Sequence, residues 1–280
     1  MIVVALVIIG LCMGSFVNAL VWRIHEQYTE SGKKKPDKTY LKRLSVTNGR
    51  SMCPNCKHAL AARDLIPLLS WLSLKGRCRY CNKPIPVYYP AVEVFTALLF
   101  AASYLWWPIA LNGNQIVVFV FWLVITPGLI ALLIYDLRWM LLPSRIIYPL
   151  GVFALTQAVV AIVIADQPVS ALVNTVLAVI VGGGIFYVLY QVSRGKWIGG
   201  GDVRLGWLLG LLAATPARSF LFIFLAAIIG SLVSLPLLLS GRVKKSSVIP
   251  FGPFLIISIF IVQLFGADIL HWYQHTFLTF

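Results

Sequence analysis

Long apolar runs constrain the fold of this chain more than any other feature of its sequence. Hydrophobic residues occupy 60% of the 280 positions and charged residues only 11%, whereas about 25% of the residues in a soluble domain are charged. A run of about 20 apolar residues is long enough to cross a bilayer core of about 30 Å. Because such runs recur from residue 2 to residue 270, the sequence predicts an all-α polytopic membrane protein.

Eight transmembrane helices are predicted from these runs. Their approximate bounds are 2–21, 89–106, 115–135, 146–165, 171–192, 205–214, 220–239 and 250–270. The run 205–214 is too short for an upright crossing, so we expect a tilted or half-embedded helix there. Eight crossings place both termini outside and put the loops that contain Arg138, Arg194 and Arg242 on the cytosolic side, as the positive-inside rule requires. Only Arg218 falls on the outer side.

The net charge of +14 is concentrated in one polar insert. Of the 23 Lys and Arg residues, 14 lie between Arg23 and Pro86, together with 4 acidic residues. This distribution favours contact with membrane lipid headgroups or an acidic partner and argues against nucleic-acid binding, because basic loops are ordinary in inner-membrane proteins. The chain therefore divides into a first transmembrane helix at 1–22, a cytosolic basic insert at 23–86 and a membrane core at 87–280. Within the insert, the Lys-rich stretch 30–42 predicts a mobile loop.

Four of the five cysteines form two CxxC pairs in this insert: Cys53, Cys56, Cys78 and Cys81. Their spacing is typical of a tetrathiolate zinc site, in which each pair directs two sulfurs to one ion. Zinc binding would supply folding free energy that so small a region cannot obtain from an apolar core. Such a site has no open coordination position, so the predicted zinc is structural. Two disulfides or free thiols remain the alternatives, although a reducing cytosol disfavours disulfides.

Two aspartates stand at the ends of apolar runs in a chain that has only 9 acidic residues. Asp136 follows the run 115–135, and Asp202 follows Gly199–Gly201. Ionisable groups at membrane depth are costly and indicate function, and two carboxylates that meet at one membrane face could share a proton and hydrolyse a peptide bond. The glycines would let a substrate backbone approach and would permit unusual dihedral angles. Taken singly, Asp136 can equally be a loop acid, and Asp202 a surface partner of Arg204.

Six further motifs follow one another along the chain. They are Gly14-Ser15-Phe16-Val17-Asn18, Arg50-Ser51-Met52-Cys53-Pro54-Asn55-Cys56, Leu65-Ile66-Pro67-Leu68-Leu69-Ser70-Trp71-Leu72, Gly76-Arg77-Cys78-Arg79-Tyr80-Cys81, Tyr89-Pro90-Ala91-Val92-Glu93 and Gly199-Gly200-Gly201-Asp202. In this order they resemble the motifs of the type IV prepilin peptidases, membrane aspartyl proteases of the GxGD type. Asp136, which precedes Leu142-Pro143, falls where that family has its first catalytic aspartate.

The resemblance implies that Asp136 and Asp202 are the catalytic pair, in an active site that faces the cytosol from the bacterial inner membrane. It implies prepilins of type IV pili and pseudopilins of type II secretion as substrates, each cut after a Gly that ends a short basic leader. Many members also methylate the new N-terminal residue with S-adenosylmethionine, and the determinants of that step lie in the cysteine insert. Glu93 is a candidate contributor to methylation. Segment 87–280 is then the membrane peptidase core.

Two positions depart from the family pattern. Ser144 stands where members often have an aspartate that is not part of the catalytic pair. Arg204 stands where members usually have a lysine, which keeps the charge but changes the hydrogen-bond geometry. Two functions of other classes remain alternatives: a zinc-knuckle membrane transporter that uses the aspartates as ion ligands, and a non-catalytic factor for pilus or secretion assembly. Neither alternative would cleave a prepilin.

Overall fold

The computed structural model describes residues 1–240 and 249–277. Its elements are ten α-helices, one turn of 3₁₀ helix and two isolated β-bridges within those residues. The chain separates into two compact units, Met1–Leu105 and Trp106–Phe280. The all-helical membrane architecture that the apolar runs predict is therefore confirmed.

The first unit is built around two helices, α1 (Ile2–Ser31) and α4 (Tyr88–Leu105). Glycines bring them together, because a Cβ at Gly10 would lie only 2.6 Å from the Ala97 Cα atom. Lower on the same face, Asn18 Nδ2 donates a hydrogen bond to the Tyr89 carbonyl oxygen at 2.9 Å. Small residues thus allow close backbone contact, as is usual between membrane helices.

Between these helices lie α2 (Lys38–Arg43), a 3₁₀ turn (Ala62–Leu65) and α3 (Leu69–Ser73). The prediction of a mobile loop over residues 30–42 is wrong for part of that stretch, since α2 occupies it from Lys38 onward. Asp37 caps this helix, because its Oδ1 atom accepts from the backbone N–H groups of Thr39 at 2.9 Å and Tyr40 at 3.1 Å. A single capping carboxylate therefore outweighs the lysine-rich composition.

The second unit contains six helices. They are α5 (Gln115–Trp139), α6 (Ser144–Val163), α7 (Pro168–Ser193), α8 (Gly200–Ala213), α9 (Pro216–Leu239) and α10 (Gly252–Phe277). Helix α8 packs closely on α7, since a Cβ at Gly182 would lie 2.9 Å from the Gly210 Cα atom. Leu205, Leu209 and Leu255 are fully buried, so α8 and α10 contribute directly to the core of this unit.

Seven of the described helices are long and apolar enough to cross a membrane: α1, α4, α5, α6, α7, α9 and α10. They correspond to seven of the eight predicted spans. The eighth is α8, at the place of the short run 205–214, and its 14 residues make it shorter than an upright crossing requires. The helix order thus sets Asp136 at the end of α5 and Asp202 at the beginning of α8.

Candidate active site

Asp136 lies in the last turn of α5, and its side chain is almost completely buried, with 5% of its surface exposed. Its carboxylate accepts a hydrogen bond from the backbone N–H of Gly252, the first residue of α10. A Cβ atom at residue 252 would overlap the Asp136 Oδ2 atom, so any larger residue there would displace the Asp136 carboxylate. The unpaired N–H groups at a helix N-terminus attract anions, which makes the start of α10 a suitable place for this carboxylate.

Asp202 lies in the first turn of α8 and is partly exposed. Gly199 caps the helix, and the Asp202 carboxylate accepts a hydrogen bond from the Gly199 backbone N–H. In return the Asp202 N–H donates to the Gly199 carbonyl oxygen at 3.1 Å. Asp202 is therefore also an acid at a helix N-terminus, held there by its own local backbone.

The structure brings the two aspartates together. Their carboxylates are close enough for the charge of Asp202 to act on Asp136. Leu142 lies against the glycines next to them, because Cβ atoms placed at Gly201 and Gly252 would come within 3.0 Å and 3.5 Å of Leu142 side-chain atoms. Two glycines and one leucine thus allow the ends of α5, α8 and α10 to meet, and the site that results holds two carboxyl groups in a largely buried setting.

Arg204 joins two helices next to this site. Its Nε atom donates to the Gly200 carbonyl oxygen at 3.0 Å, and its Nη1 atom donates to the Ser144 hydroxyl oxygen. Ser144 is the first residue of α6, so the guanidinium connects the first turn of α8 to the beginning of α6. Its hydrogen bonds are directed to these two residues rather than to Asp202, which argues against a simple surface ion pair.

The glycines before Asp202 do not adopt the unusual dihedral angles that the sequence predicts for them. Unusual dihedral angles are expected for them, yet positive φ occurs nearby only at Arg194 and Gly195, not at Gly199–Gly201. Gly199 has φ −75° and ψ 148°, which any residue can adopt. The small size of these residues, rather than backbone freedom, is what allows Gly201 to lie against Leu142.

A second candidate site is formed by the four predicted cysteines in the first unit. Their sulfur atoms all lie within 4.8 Å of one another, and the Sγ atoms of Cys53 and Cys81 are 3.9 Å apart. Four thiolates bound to one zinc at about 2.3 Å would be separated by about 3.8 Å. The donor set and its spacing therefore fit a tetrahedral metal ion, and the cluster could hold one.

Both cysteine pairs have the same backbone structure. The Cys53 carbonyl accepts from the Lys57 N–H, and the Cys78 carbonyl accepts from the Asn82 N–H, each at 2.9 Å. Lys57 and Asn82 adopt left-handed conformations, with φ of 57° and 56°. An isolated bridge closes each turn by joining the residue before the pair to a residue after it, Met52 to Ala59 and Arg77 to Pro84. Two equivalent turns thus present four sulfurs to one point.

Charged side chains connect these turns to the rest of the unit. Lys57 Nζ donates to Glu26 Oε1 at 2.8 Å, which ties the first turn to α1. Arg79 Nε donates to Asp64 Oδ1 at 2.8 Å, and the Tyr80 hydroxyl donates to Asp64 Oδ2 at 2.8 Å. Although partial burial opposes it, the hydrogen bonds from Arg79 and Tyr80 hold the pKa of Asp64 below its ordinary value. Asp64 is thus an ionised crosslink on the second turn.

Comparison with known families and proteins finds matches over the residues that contain both sites. The bacterial peptidase A24 N-terminal domain family matches residues 8–107, and the type IV leader peptidase family matches residues 123–235. The prepilin leader peptidase/N-methyltransferase of Bacillus subtilis is 31% identical over 96% of this chain and 96% of the relative. The chain belongs to the type IV prepilin peptidase family.

Two further relatives agree with the assignment of this chain to the type IV prepilin peptidase family. The prepilin leader peptidase/N-methyltransferase of Aeromonas salmonicida is 30% identical and covers 96% of this chain and 92% of its own length. The type 4 prepilin-like proteins leader peptide-processing enzyme of Escherichia coli is 36% identical over 72% of this chain and 73% of its own length. No solved structure matches the chain. Family membership and seven apolar helices indicate a multi-pass inner-membrane protein.

Three further residues adjoin the aspartate site, and of these only Gly252 lies outside the segments in which the sequence resembles the family. Gly252 lies against the Asp136 carboxylate, and Leu142 lies against Gly201 and Gly252. Ser144 accepts a hydrogen bond from Arg204. A signal for Gly252 does exist, because Gly252-Pro253 marks the beginning of a helix, and helix N-termini attract carboxylates. Nothing local indicates that this particular helix meets Asp136, since the two residues lie far apart along the chain.

Proposed function

We propose that this protein removes the short basic leader of prepilins and pseudopilins after a glycine, and that Asp136 and Asp202 perform the cleavage. The observation that carries the proposal is the meeting of these two carboxyl groups at the ends of three helices. The peptidase and methyltransferase names of the relatives support the same enzyme class. The proposal extends to N-methylation of the new N-terminal residue.

The chemistry of cleavage follows from two carboxyl groups that share one proton. Two like charges at close range cannot both persist comfortably, so one group keeps its proton while the other is ionised. The ionised carboxylate takes a proton from a water molecule, whose oxygen attacks the carbonyl carbon of the scissile peptide bond. The protonated carboxyl donates its proton to the carbonyl oxygen, which gives a neutral tetrahedral intermediate.

Collapse of this intermediate completes the reaction. The C–N bond breaks, and the departing nitrogen takes the proton that the first carboxylate removed from water. The intermediate returns a hydroxyl proton to the second carboxylate as the new carboxylic acid forms. The pair thus ends with one shared proton, as it began, and requires no further reactant besides water.

The positions of the basic residues support a cytosolic site. Arg138 follows Asp136 at the end of α5, while Arg194 and Lys196 precede Asp202 before α8. Loops rich in Lys and Arg remain on the cytosolic side of a bacterial membrane. The apolar helix of a prepilin would lie in the bilayer, and its leader junction would then reach this surface at the depth of the two aspartates.

Zinc and S-adenosylmethionine are the proposed cofactors. Cys53, Cys56, Cys78 and Cys81 would hold a structural zinc, since four thiolates leave no position for a substrate. S-adenosylmethionine would supply the methyl group that the new N-terminal amine accepts, and family resemblance supports this step.

Replacement of each aspartate tests the cleavage proposal. In liposomes that contain a prepilin with a basic leader and a Gly-Phe junction, Asp136→Asn and Asp202→Asn are each expected to lower the cleavage rate by about 10³-fold, because either carboxyl alone lacks its partner. The control is Asp166→Asn, in the exposed turn between α6 and α7, which should cleave normally. Normal processing by either active-site variant contradicts the pairing. Failure of the parent protein itself to cleave the prepilin would point to a transporter or an assembly factor instead.

Mass spectrometry of the processed pilin tests the methylation proposal separately. One added methyl group on the new N-terminal amine is expected when S-adenosylmethionine is present. Cleaved but unmodified pilin, under conditions where a methylating relative modifies the same substrate, would remove this half of the proposal and leave the peptidase intact.

A further inference from the structure

An apolar segment in the basic insert, residues 65–72, exposes large side chains that the peptidase proposal does not use. Leu65, Ile66, Leu69 and Leu72 are 39%, 48%, 62% and 54% exposed. They lie between the two cysteine pairs, in a region that is otherwise strongly basic. Burial of one such side chain is worth roughly 1.5–3 kcal/mol, so four adjacent ones in water would be unfavourable, and such clusters usually mark a contact surface.

A buried carboxylate fixes the middle of this segment. The Leu68 N–H donates to Glu93 Oε2 at 2.7 Å, and Glu93, in α4, is itself 8% exposed. The Glu93 carboxylate also accepts from the Ser15 hydroxyl of α1. Leu68 has φ 60° and ψ −51°, a conformation that is costly for a leucine. Such strain persists only where the surroundings enforce it, so this hydrogen bond holds the segment in place.

The position of Ser15 along α1 gives the depth of that hydrogen bond. The apolar run of α1 ends at Val21, and Trp22 and Arg23 follow as residues typical of a membrane boundary. Ser15 lies six residues before Val21, which corresponds to about 9 Å of helix. Because the Glu93 carboxylate bonds both Ser15 and Leu68, the Leu68 backbone lies on the membrane side of that boundary.

The backbone of the segment is suited to such a depth. Non-helical backbone within a membrane needs its polar groups satisfied. Pro67 has no N–H, and the Leu68 N–H is bonded to Glu93. Three later N–H groups are bonded within the segment: Leu69 donates to the Pro67 carbonyl at 2.5 Å, Ser70 to the Ile66 carbonyl at 3.1 Å and Leu72 to the Leu68 carbonyl at 3.0 Å.

Cations lie on both sides of the segment. Arg63 precedes it, and Lys75 and Arg77 follow it, all with exposed side chains. Basic residues next to a membrane-inserted apolar stretch interact with anionic lipid headgroups, each contributing about 1 kcal/mol. Apolar side chains at bilayer depth between flanking cations match the chemistry of a lipid surface.

We infer that residues 65–72 enter the leaflet nearer the cysteine insert, with Ile66 and Leu69 among the acyl chains and the flanking Arg63, Lys75 and Arg77 at the phosphates. The segment is then a membrane anchor for the insert, and the hydrogen bond from Leu68 to Glu93 holds it in place. This role is independent of the peptidase reaction, since it requires neither Asp136 nor Asp202.

Photocrosslinking in the full-length protein tests this inference. Leu69 is replaced by p-benzoylphenylalanine, and the protein is reconstituted in vesicles of phosphatidylcholine and phosphatidylglycerol, with and without prepilin. The control carries the same group at Asn55, an exposed residue of the first cysteine pair, which Lys57 holds near Glu26 beyond the membrane boundary of α1. Lipid adducts at position 69 should exceed those at position 55 by at least about tenfold, as the transfer of one leucine into hydrocarbon suggests.

A second pair of variants tests the role of Glu93. Glu93→Gln keeps an oxygen that can accept from Leu68 and should retain the lipid adducts at position 69, whereas Glu93→Ala should lose most of them. Metal content of each variant reports whether the insert is still folded. Equal adduct yields at positions 69 and 55 overturn the inference, and so do adducts at position 69 that form with prepilin alone, because the segment is then a protein-docking surface.

Discussion

At the scale of single residues, Gly252 matters to the aspartate site because its lack of a side chain leaves room for the Asp136 carboxylate. Gly252→Ala would place a methyl group against the Asp136 carboxylate, and displacement of a reacting group by about 1 Å costs about 100-fold in rate. We expect a loss of that size in prepilin cleavage. Gly151→Ala is the matched control, since residue 151 is also a helix glycine but has open space around its Cβ position. Equal rates for the two variants would contradict the contact.

Asp64 makes a residue-scale prediction about the metal cluster. Its pKa lies below the ordinary value, so it stabilises the second cysteine turn at every pH above about 4, and that contribution disappears only as the pH falls through the lowered pKa. Asp64→Asn should speed the loss of zinc to a chelator by about fivefold, as for a partly exposed pair. The ratio between variant and parent should be the same at pH 6 and pH 8. Asn55→Ala, on the exposed surface of the first turn, should release zinc at the parental rate.

The sequence predicts the identity of the site residues better than their surroundings. Cys53, Cys56, Cys78 and Cys81 are predicted as a group from spacing alone, and the cluster that they form could hold a metal ion. Asp136 and Asp202 are predicted from their rarity and their place beside apolar runs, and their catalytic role remains a prediction. The contacts that Gly252 makes with Asp136 and Leu142 escape prediction, because they join residues far apart along the chain, which no local pattern records.

At the scale of helices, the connection between α6 and α8 is the one most open to a test. Arg204→Gln removes the charged hydrogen bonds to Ser144 and Gly200, and the loss of about 1.4 kcal/mol that such bonds provide would lower kcat about tenfold. KM should change little, because Arg204 positions Asp202 rather than the substrate. Arg194→Gln removes an exposed charge from the preceding loop and serves as the control.

A second variant distinguishes an effect on the position of Asp202 from a general destabilisation of the protein. Ser144→Asp would replace a neutral acceptor by a carboxylate opposite Arg204, and a charge-assisted hydrogen bond there should preserve the connection. Cleavage at or near the parental rate is expected. A rate as low as that of Arg204→Gln would show that the hydroxyl itself, and not the link between helices, matters.

The sequence predicts the beginning and end of a helix well where a long apolar run determines them. Runs such as 115–135 and 171–192 become α5 and α7 with small changes at their ends, because a membrane enforces helical hydrogen bonding. The stretch 30–42 was not predictable in this way. In water the helix α2 depends on one cap, Asp37, and composition carries little information about such a contact.

At the scale of the whole molecule, the two candidate sites lie in different compact units. The four cysteines lie in Met1–Leu105, and both aspartates, with the glycines that contact them, lie in Trp106–Phe280. The family matches divide similarly, at residues 8–107 and 123–235. Each site therefore has its own structural support.

This separation predicts that metal loss and loss of cleavage can be dissociated. The double variant Cys53→Ser, Cys78→Ser should lose the metal, since two of the four thiolates are removed, yet cleave prepilin faster than Asp202→Asn does. Methylation, whose determinants the family resemblance places in the insert, should fall further than cleavage. Metal analysis, cleavage rate and pilin mass on the same preparation measure all three. Cleavage as low as in Asp202→Asn would show that the units are not independent.

The short helix α8 has a consequence for the supply of water. Its 14 residues rise about 21 Å, which leaves it about 9 Å short of the hydrocarbon thickness. No residue of α8 is exposed, so neighbouring helices surround it, and Asp202 stands in its first turn. A hydrolase embedded in lipid has to obtain its second reactant from the aqueous phase, and a helix that ends short of the full membrane depth would leave its first turn, with Asp202, within reach of that phase.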